Sequence, residues 1–376
     1  MELGFLRPLY DEIGDYVSVY LDTDRVHENA AEAIAIRWRN AREQLSAAGA
    51  GPASLDAVAE VIGDPDEVAT GQAVFARAGA VTFSGALDAP PRREIARLAL
   101  LPHVMPLLAQ HPPPIPHLRV SATRTGGEIV AIGGSGEAWR DWVAGRQWPV
   151  HKTSVGGWSQ DRYQRSAEET WDENAKALAA EVVAAAGRIG ARHVIVGGDV
   201  RARSLLLEHL TKPLRDSAAV VDEEVSADSQ ALAEAAGRAL SRWADRDVRE
   251  RFDDWRTQLA HGRGVQGLAP TMAAFRNGQV SDLFLADDPT STATAWIGRA
   301  GNALAASEEE LADWGVAEPA LDRADAALAR AIAHTDAELH FLPEDLVERG
   351  DPAACGGITR PRDGVCATLR FSVEGG

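Results

Sequence analysis

Apolar residues along the chain follow two periods, and the switches between them lay out the elements. The first clear run is "YVSVYLD" (Tyr16 to Asp22), whose β-branched and aromatic residues predict a strand. In "ENAAEAIAIRWRNAREQLSAAG" the period changes: Ala31, Ile34, Trp38, Ala41 and Leu45 share one helical face, and Gly49 supplies the stop. "QAVFARAGAVTFSG" reads as a β-hairpin turning at Ala78 and Gly79, and "RREIARLALL" as a helix running into "HPPPIP" (His111 to Pro116). Proline-rich sequence sustains neither period, so this stretch marks the first boundary.

Alternation returns in "HLRVSATRTGGEIVAIGG", which predicts a second hairpin around "RTGG". Ser166 and Glu169 have the spacing of a capping box, the serine hydroxyl closing the amide three residues on, so a helix is expected to start there. Trp171, Ala175, Leu178, Val182 and Ala186 then keep one apolar face, and "RHVIVGGDV" follows as a buried strand. Polar, alanine-rich sequence from Ser226 to His261 predicts a long connector helix. Beyond it, "GLAPTMAAFRNGQVSDLFLAD" gives a helix stopped by Gly278 and the strand Ser281 to Ala286, and "ALDRADAALARAIAHT", "AELHFL" and "GVCATLRF" complete a helix, strand, strand series. The expected fold class is α/β, with three consecutive α/β domains at 1–113, 114–258 and 259–376. The central domain is expected to carry a protruding Gly-Gly loop between strand and helix.

Composition narrows the function classes. With 376 residues, 45% hydrophobic and 25% charged, the chain suits a globular protein of several cores and excludes coiled-coil or disordered classes. A net charge of −18 argues against sequence-independent binding to naked DNA, which needs many cationic contacts, so any nucleic-acid contact must be local. No run approaches the roughly 20 apolar residues of a spanning helix, and the opening "MELGFLRPLYDEIG" lacks a secretory apolar core; a cytoplasmic protein without a membrane partner is expected. Cys355 and Cys366 offer no disulfide framework and too few thiolates for a zinc site, and are read as buried free thiols. No metal, cofactor or catalytic residue is assigned, because H-E-x-x-H, G-x-S-x-G and the phosphate-loop spacings are absent; "VGGDVRARS" (Val196 to Ser204) reads as a plain turn. The acidic runs Asp222 to Glu224 and Glu308 to Glu310 read as solvated faces or helix starts, the second capped by Ser307.

One stretch stands apart. "SVGGWSQDRYQR" (154–165) lies in a window, 139–171, that holds five of the ten tryptophans (Trp139, Trp142, Trp148, Trp158 and Trp171). Between Arg140 and Arg165 five basic residues (Arg140, Arg146, Lys152, Arg162, Arg165) face only Asp141 and Asp161, a local charge of +3. Trp139, Trp142 and Trp171 are read as core. Trp158, directly after two glycines, has no period to bury it and is expected to be exposed. Arginine interleaved with aromatic rings suits single-stranded RNA, the cation meeting phosphate and the ring stacking on a base. The expected RNA-binding set is therefore His151, Lys152, Arg162 and Arg165 on phosphate and Trp158 on a base, with Ser159, Gln160 and Tyr163 beside it. Gly156 and Gly157 would let the backbone approach closely.

A strand, a loop tipped by Gly-Gly and an amphipathic helix resemble the central domain of the archaeal and eukaryotic peptide chain release factors. "GLAPTMAAFRNGQVSDLFLAD" and "CGGITRPRDGVCATLRF", with Gly364 to Phe371 matching a G-x-x-A-x-L-R-F strand, are similar to the third domain of that family and of its surveillance relative Pelota, a small α/β sandwich. The resemblance spans about residues 115–371 and looks most like the bacterial branch, which includes ribosome hibernation factors. The departures are specific. Release factors end their loop in Gly-Gly-Gln, and the glutamine backbone positions the hydrolytic water; here Trp158 follows Gly156 and Gly157, and Gln160 comes two residues late. An indole there removes the small residue that close placement of a water needs. The Asn-Ile-Lys-Ser and Tyr-x-Cys elements that read stop codons are absent, and no cysteine precedes position 355. The resemblance implies a non-catalytic translation factor that binds the ribosome at the tRNA site near the peptidyl-transferase centre, touching rRNA and tRNA, with a translational GTPase as further partner. A peptidyl-tRNA hydrolase that rescues stalled ribosomes is the rival, and a module binding another protein or a nucleotide a third reading.

Overall fold

The computed structural model describes the whole chain except residues 2, 28, 65–69, 111–114, 135, 146–156, 223–225, 228, 289, 349–359 and 373–376, and describes the backbone alone for 157–166 and 347–348. The architecture is α/β with several sheets. It divides into two compact units, one made of 1–112 together with 248–376 and one of 113–247. The N- and C-terminal thirds, expected as separate domains, thus contribute to one unit while each keeps its own sheets.

In the N-terminal part of the first unit, four antiparallel strands lie in the order Ala80–Leu87, Gly71–Arg77, Tyr16–Asp22, Ile95–Ala99. Ala78 and Gly79 both take positive φ (50° and 81°), the primed turn that matches strand twist in a two-residue hairpin. The segment "RREIARLALL", expected as a helix, supplies the strand Ile95–Ala99 instead: its backbone pairs with Tyr16–Tyr20, and that ladder outweighs the local helical spacing. One sheet face, through Val17, Val19, Leu21 and Val74, packs under the helices Ala30–Ala47 and Pro52–Val61. The other face, through Tyr20, Ala73 and Phe75, joins a core shared with the C-terminal part.

That C-terminal part has a four-stranded mixed sheet (Gly264–Gln266, Val365–Leu369, Val280–Ala286, Glu338–Leu342) and a three-stranded one (Leu304–Ala305, Thr294–Ile297, Ala320–Arg323). The alanine-rich helix Ala324–Thr335 is buried along most of its length, its small side chains allowing sheets on more than one side to approach. Ion pairs tie the start of this helix and the strand before it to the N-terminal part. Buried Asp322 accepts from Arg97 Nη2 (2.6 Å) and the Leu101 amide (2.8 Å), while Asp325 accepts from Arg323 Nε (2.9 Å) and meets His103 Nε2 at 3.3 Å. Burial pushes the Asp325 carboxyl upward, but hydrogen bonds with His103 and Arg323 outweigh it and hold the group far below the usual carboxylate range. Cys366 is a buried free thiol, as expected; Cys355 lies outside the described residues.

The second unit is a three-layer sandwich. Its sheet runs Ala138–Ala144, Gly126–Ile132, His117–Thr123, His193–Gly198, Ala218–Val220, antiparallel as far as His117–Thr123 and parallel beyond. The helices Gly157–Ile189 and Val200–His209 cover one face over Leu118, Val120, Ala131, Val194 and Val196. The first half of the helix Gln230–Ala260 covers the other over Val130 and Ile195, through Leu232, Ala236 and Ala239. Expected as a polar connector, this helix proves amphipathic throughout: its second half, in the first unit, buries Phe252 and Trp255. Among the described residues no helix is long and apolar enough to cross a membrane.

Candidate functional site

The helix Gly157–Ile189 starts nine residues before the expected Ser166 cap, so most of the supposed loop, Gly157 to Arg165, is helical. The reason is local: after Gly157 the sequence holds no proline or glycine until Gly187, and a Ser-x-x-Glu pair is tolerated inside a helix. Gly157, Trp158, Ser159, Gln160, Arg162, Tyr163 and Arg165 therefore lie on a helical backbone, while His151, Lys152 and Gly156 lie outside the described residues. Of residues 167–174, Asn174 is the first to be buried. The preceding helical turns lead back to Gly157, where the described helix begins.

One turn of this helix, Trp171 to Asn174, is clamped to three neighbouring elements. Arg124, in the turn between His117–Thr123 and Gly126–Ile132, lays its guanidinium 4.6 Å from the centre of the Trp171 ring and pairs with Asp199 (Nη2 to Oδ2, 3.0 Å; Nε to Oδ2, 3.1 Å). Asp172 meets His209 Nε2 at 2.7 Å. Asn174 donates to the Arg124 carbonyl (2.9 Å) and packs on Gly145, where a Cβ would come within 2.5 Å of the amide. Asp199, at the end of the strand His193–Gly198, caps Val200–His209 by accepting from the Arg201 and Ala202 amides (3.0 Å each). Burial pushes its carboxyl up, but those amides and Arg124 outweigh it and leave it lowered, so the clamp's anion stays charged. "VGGDVRARS" is thus a helix start; the apolar positions Ala202, Leu205 and Leu206 following an Asp are the signal for it.

The other singled-out tryptophans divide. Trp139 is half-buried with Arg188 over its ring at 4.3 Å, and Trp171 is half-buried under Arg124. Trp142, read as core, is 57% exposed, because the strand Ala138–Ala144 forms the sheet edge. Trp148 lies outside the described residues. Ser307 caps Glu308–Asp313 as expected. Asp222 pairs with Arg203, and Glu223 and Glu224 lie outside the described residues. One cluster among the described residues has the composition of a metal site, Asp282, Glu338 and His340 on neighbouring parallel strands. Arg251 already lies against both carboxylates, at 3.1 and 3.7 Å, and supplies the cation there.

Residues 116–261, the second unit and the helix leaving it, match the model of bacterial archaeo-eukaryotic release factor family 2. This segment belongs to that family. Along almost its whole length the chain is also similar to an uncharacterised protein of Mycobacterium tuberculosis (strain H37Rv), 27% identical over 98% of this chain and 96% of the relative. Two solved structures are similar at greater distance. An archaeal translation termination factor is 18% identical, with coverage of 98% of this chain and 96% of that one and a TM-score of 0.27. The Pelota protein of Archaeoglobus fulgidus is 16% identical, with coverage of 81% and 80% and a TM-score of 0.35.

Proposed function

We propose that this chain is a ribosome-binding translation factor that occupies the tRNA site near the peptidyl-transferase centre without catalysing hydrolysis, and so protects an idle ribosome. The observation that carries this reading is the match of residues 116–261 to the release-factor family model, with Trp158 in the first turn of a helix that is clamped at Trp171 to Asn174. A release-factor arm delivers its tip to the ester of peptidyl-tRNA. An arm with an indole at the critical position delivers bulk and a stacking face, which suit occupancy better than placement of a water. His151, Lys152, Arg162 and Arg165 would contact phosphate around that tip, and a translational GTPase would dock on the C-terminal part by analogy with the family.

Co-sedimentation of wild type and Trp158→Ala with 70S ribosomes tests the reading. Wild type is expected in the 70S fraction and the variant is expected to lose at least tenfold in occupancy; equal occupancy would remove the tip from the interface. Release of labelled peptide from stalled ribosomes by wild type, abolished in Gln160→Ala, would instead make the chain a peptidyl-tRNA hydrolase.

A further inference from the structure

At the end of the central sheet away from the Arg124 clamp, the strand His193–Gly198 begins beside the middle of the helix Gln230–Ala260. The His193 ring stacks on Trp243 at 4.1 Å and 14°, and His117 is its register partner on the adjoining strand. Four arginines gather around this point: Arg192 before His193, and Arg238, Arg242 and Arg246 on the helix. Leu232, Ala236, Ala239 and Trp243 turn the helix toward the sheet, so at 100° per residue the three helical arginines form a ridge along one flank, stepping about 6 Å each. All four are exposed. Among the described residues none has a carboxylate in salt-bridge range, although Asp245 and Asp247 adjoin the ridge. Three other arginines of the same unit are neutralised: Arg124 by Asp199, Arg140 by Glu128, Arg203 by Asp222.

We infer that Arg192, Arg238, Arg242 and Arg246 form a second RNA-contact surface, which holds the phosphodiester backbone of one strand while the arm tip engages elsewhere. It rests on the ribosome reading for the identity of the polyanion. The ridge is about 12 Å long, with its three guanidinium groups about 6 Å apart, and Arg192 at its side offers a fourth contact to the same strand. Guanidinium groups left without intramolecular carboxylates retain donors for phosphate, and arginine suits phosphate better than lysine does. The local field agrees. Burial lowers the affinity of His193 for a proton, and His117, Arg192 and Arg246 lower it further despite Asp247. Its Nδ1 is buried and without a hydrogen-bond partner among the described residues.

The test is fluorescence anisotropy of a labelled single-stranded RNA of about 20 nucleotides with the full chain, between about 50 and 200 mM KCl. Each phosphate contact contributes a salt slope of about 0.7, so four predict that wild-type affinity falls about fifty-fold over this range. The variant Arg192→Gln/Arg238→Gln/Arg242→Gln/Arg246→Gln is expected to bind at least tenfold more weakly at low salt and to lose most of the slope. Arg39→Gln/Arg93→Gln/Arg263→Gln/Arg299→Gln removes the same charge from exposed sites of the first unit and is expected to behave as wild type. Unchanged thermal midpoints establish that both variants fold. Wild type that fails to bind RNA, an unaffected ridge variant, or equal losses in both variants would each overturn the inference. RNA binding that depends on the ridge, without 70S co-sedimentation by wild type, would leave the ridge standing and overturn the ribosome reading.

Discussion

Removing the Arg124 guanidinium should loosen the arm without unfolding the domain. Fourteen helical residues, 157–170, precede Trp171, a length of about 21 Å at about 1.5 Å per residue. A tilt of about 10° at the clamp would therefore move the tip by about 3.6 Å, whereas a misplacement of about 1 Å is already costly at a site that requires close fit. The restraint lost in Arg124→Ala is modest. The side chain is 52% exposed, so its stacking on Trp171 and its pair with Asp199 together contribute about 1–2 kcal/mol, about a five- to thirty-fold shift toward untethered arms. Spin labels at Ser159→Cys and Arg215→Cys, both within the central unit, report the angle in a Cys355→Ser background. Cys366 stays unlabelled because it is buried and burial pushes its thiol well above the usual range. Wild type should give one narrow distance distribution and Arg124→Ala a broad one, with Arg124→Lys intermediate, since lysine keeps the charge but not the planar stack. Identical distributions in wild type and Arg124→Ala would refute the clamp.

Two further substitutions probe the frame. Gly198 adopts φ +104°, and a Cβ there would sit 2.1 Å from the Ala122 carbonyl oxygen, so Gly198→Ala should cost about 3 kcal/mol or more in urea denaturation. Asp325→Asn should cost about 2–3 kcal/mol at neutral pH, because it leaves Arg323 without its carboxylate. Since the folded carboxyl titrates far below its unfolded value of about 3.9, its contribution is complete above that value and is lost progressively as pH falls from there toward the folded value. The stability difference between the two proteins should shrink in acid; a difference that stays constant down to pH of about 2 would refute the assignment.

Much of the fold was legible because alternation and turn chemistry agreed. Tyr16–Asp22, the turn at Ala78 and Gly79, the hairpin around Arg124 and Thr125, and the buried strand from His193 all emerged from period and punctuation. The failures share a cause: a long-range partner decided what local pattern left open. Ile95–Ala99 looks helical until Tyr16–Tyr20 offers a ladder, and Trp142 looks like core until the sheet ends beside it. In Gln230–Ala260 the dense alternating charges hid the stripe of Phe252, Trp255 and Leu259. The clamp was invisible for the same reason, since Arg124, Trp171 and Asp199 share no motif and meet only because a hairpin turn, a helix and a strand end converge.

The RNA contacts proposed above have to be reconciled with the acidity of the chain. A net charge of −18 repels a polyanion at long range, and at physiological salt that repulsion is screened beyond about 8 Å. What remains is contact chemistry, and there the state of each guanidinium matters more than the total. Arginines engaged by carboxylates, such as Arg124 and Arg203, hold the scaffold and have little left to offer a phosphate. Those along Arg238, Arg242 and Arg246 keep their donors. On the proposed reading, sorting arginines by their partners, and not by their number, separates residues that would hold the helix from residues that would grip a strand, and puts the two tasks at opposite ends of one sheet.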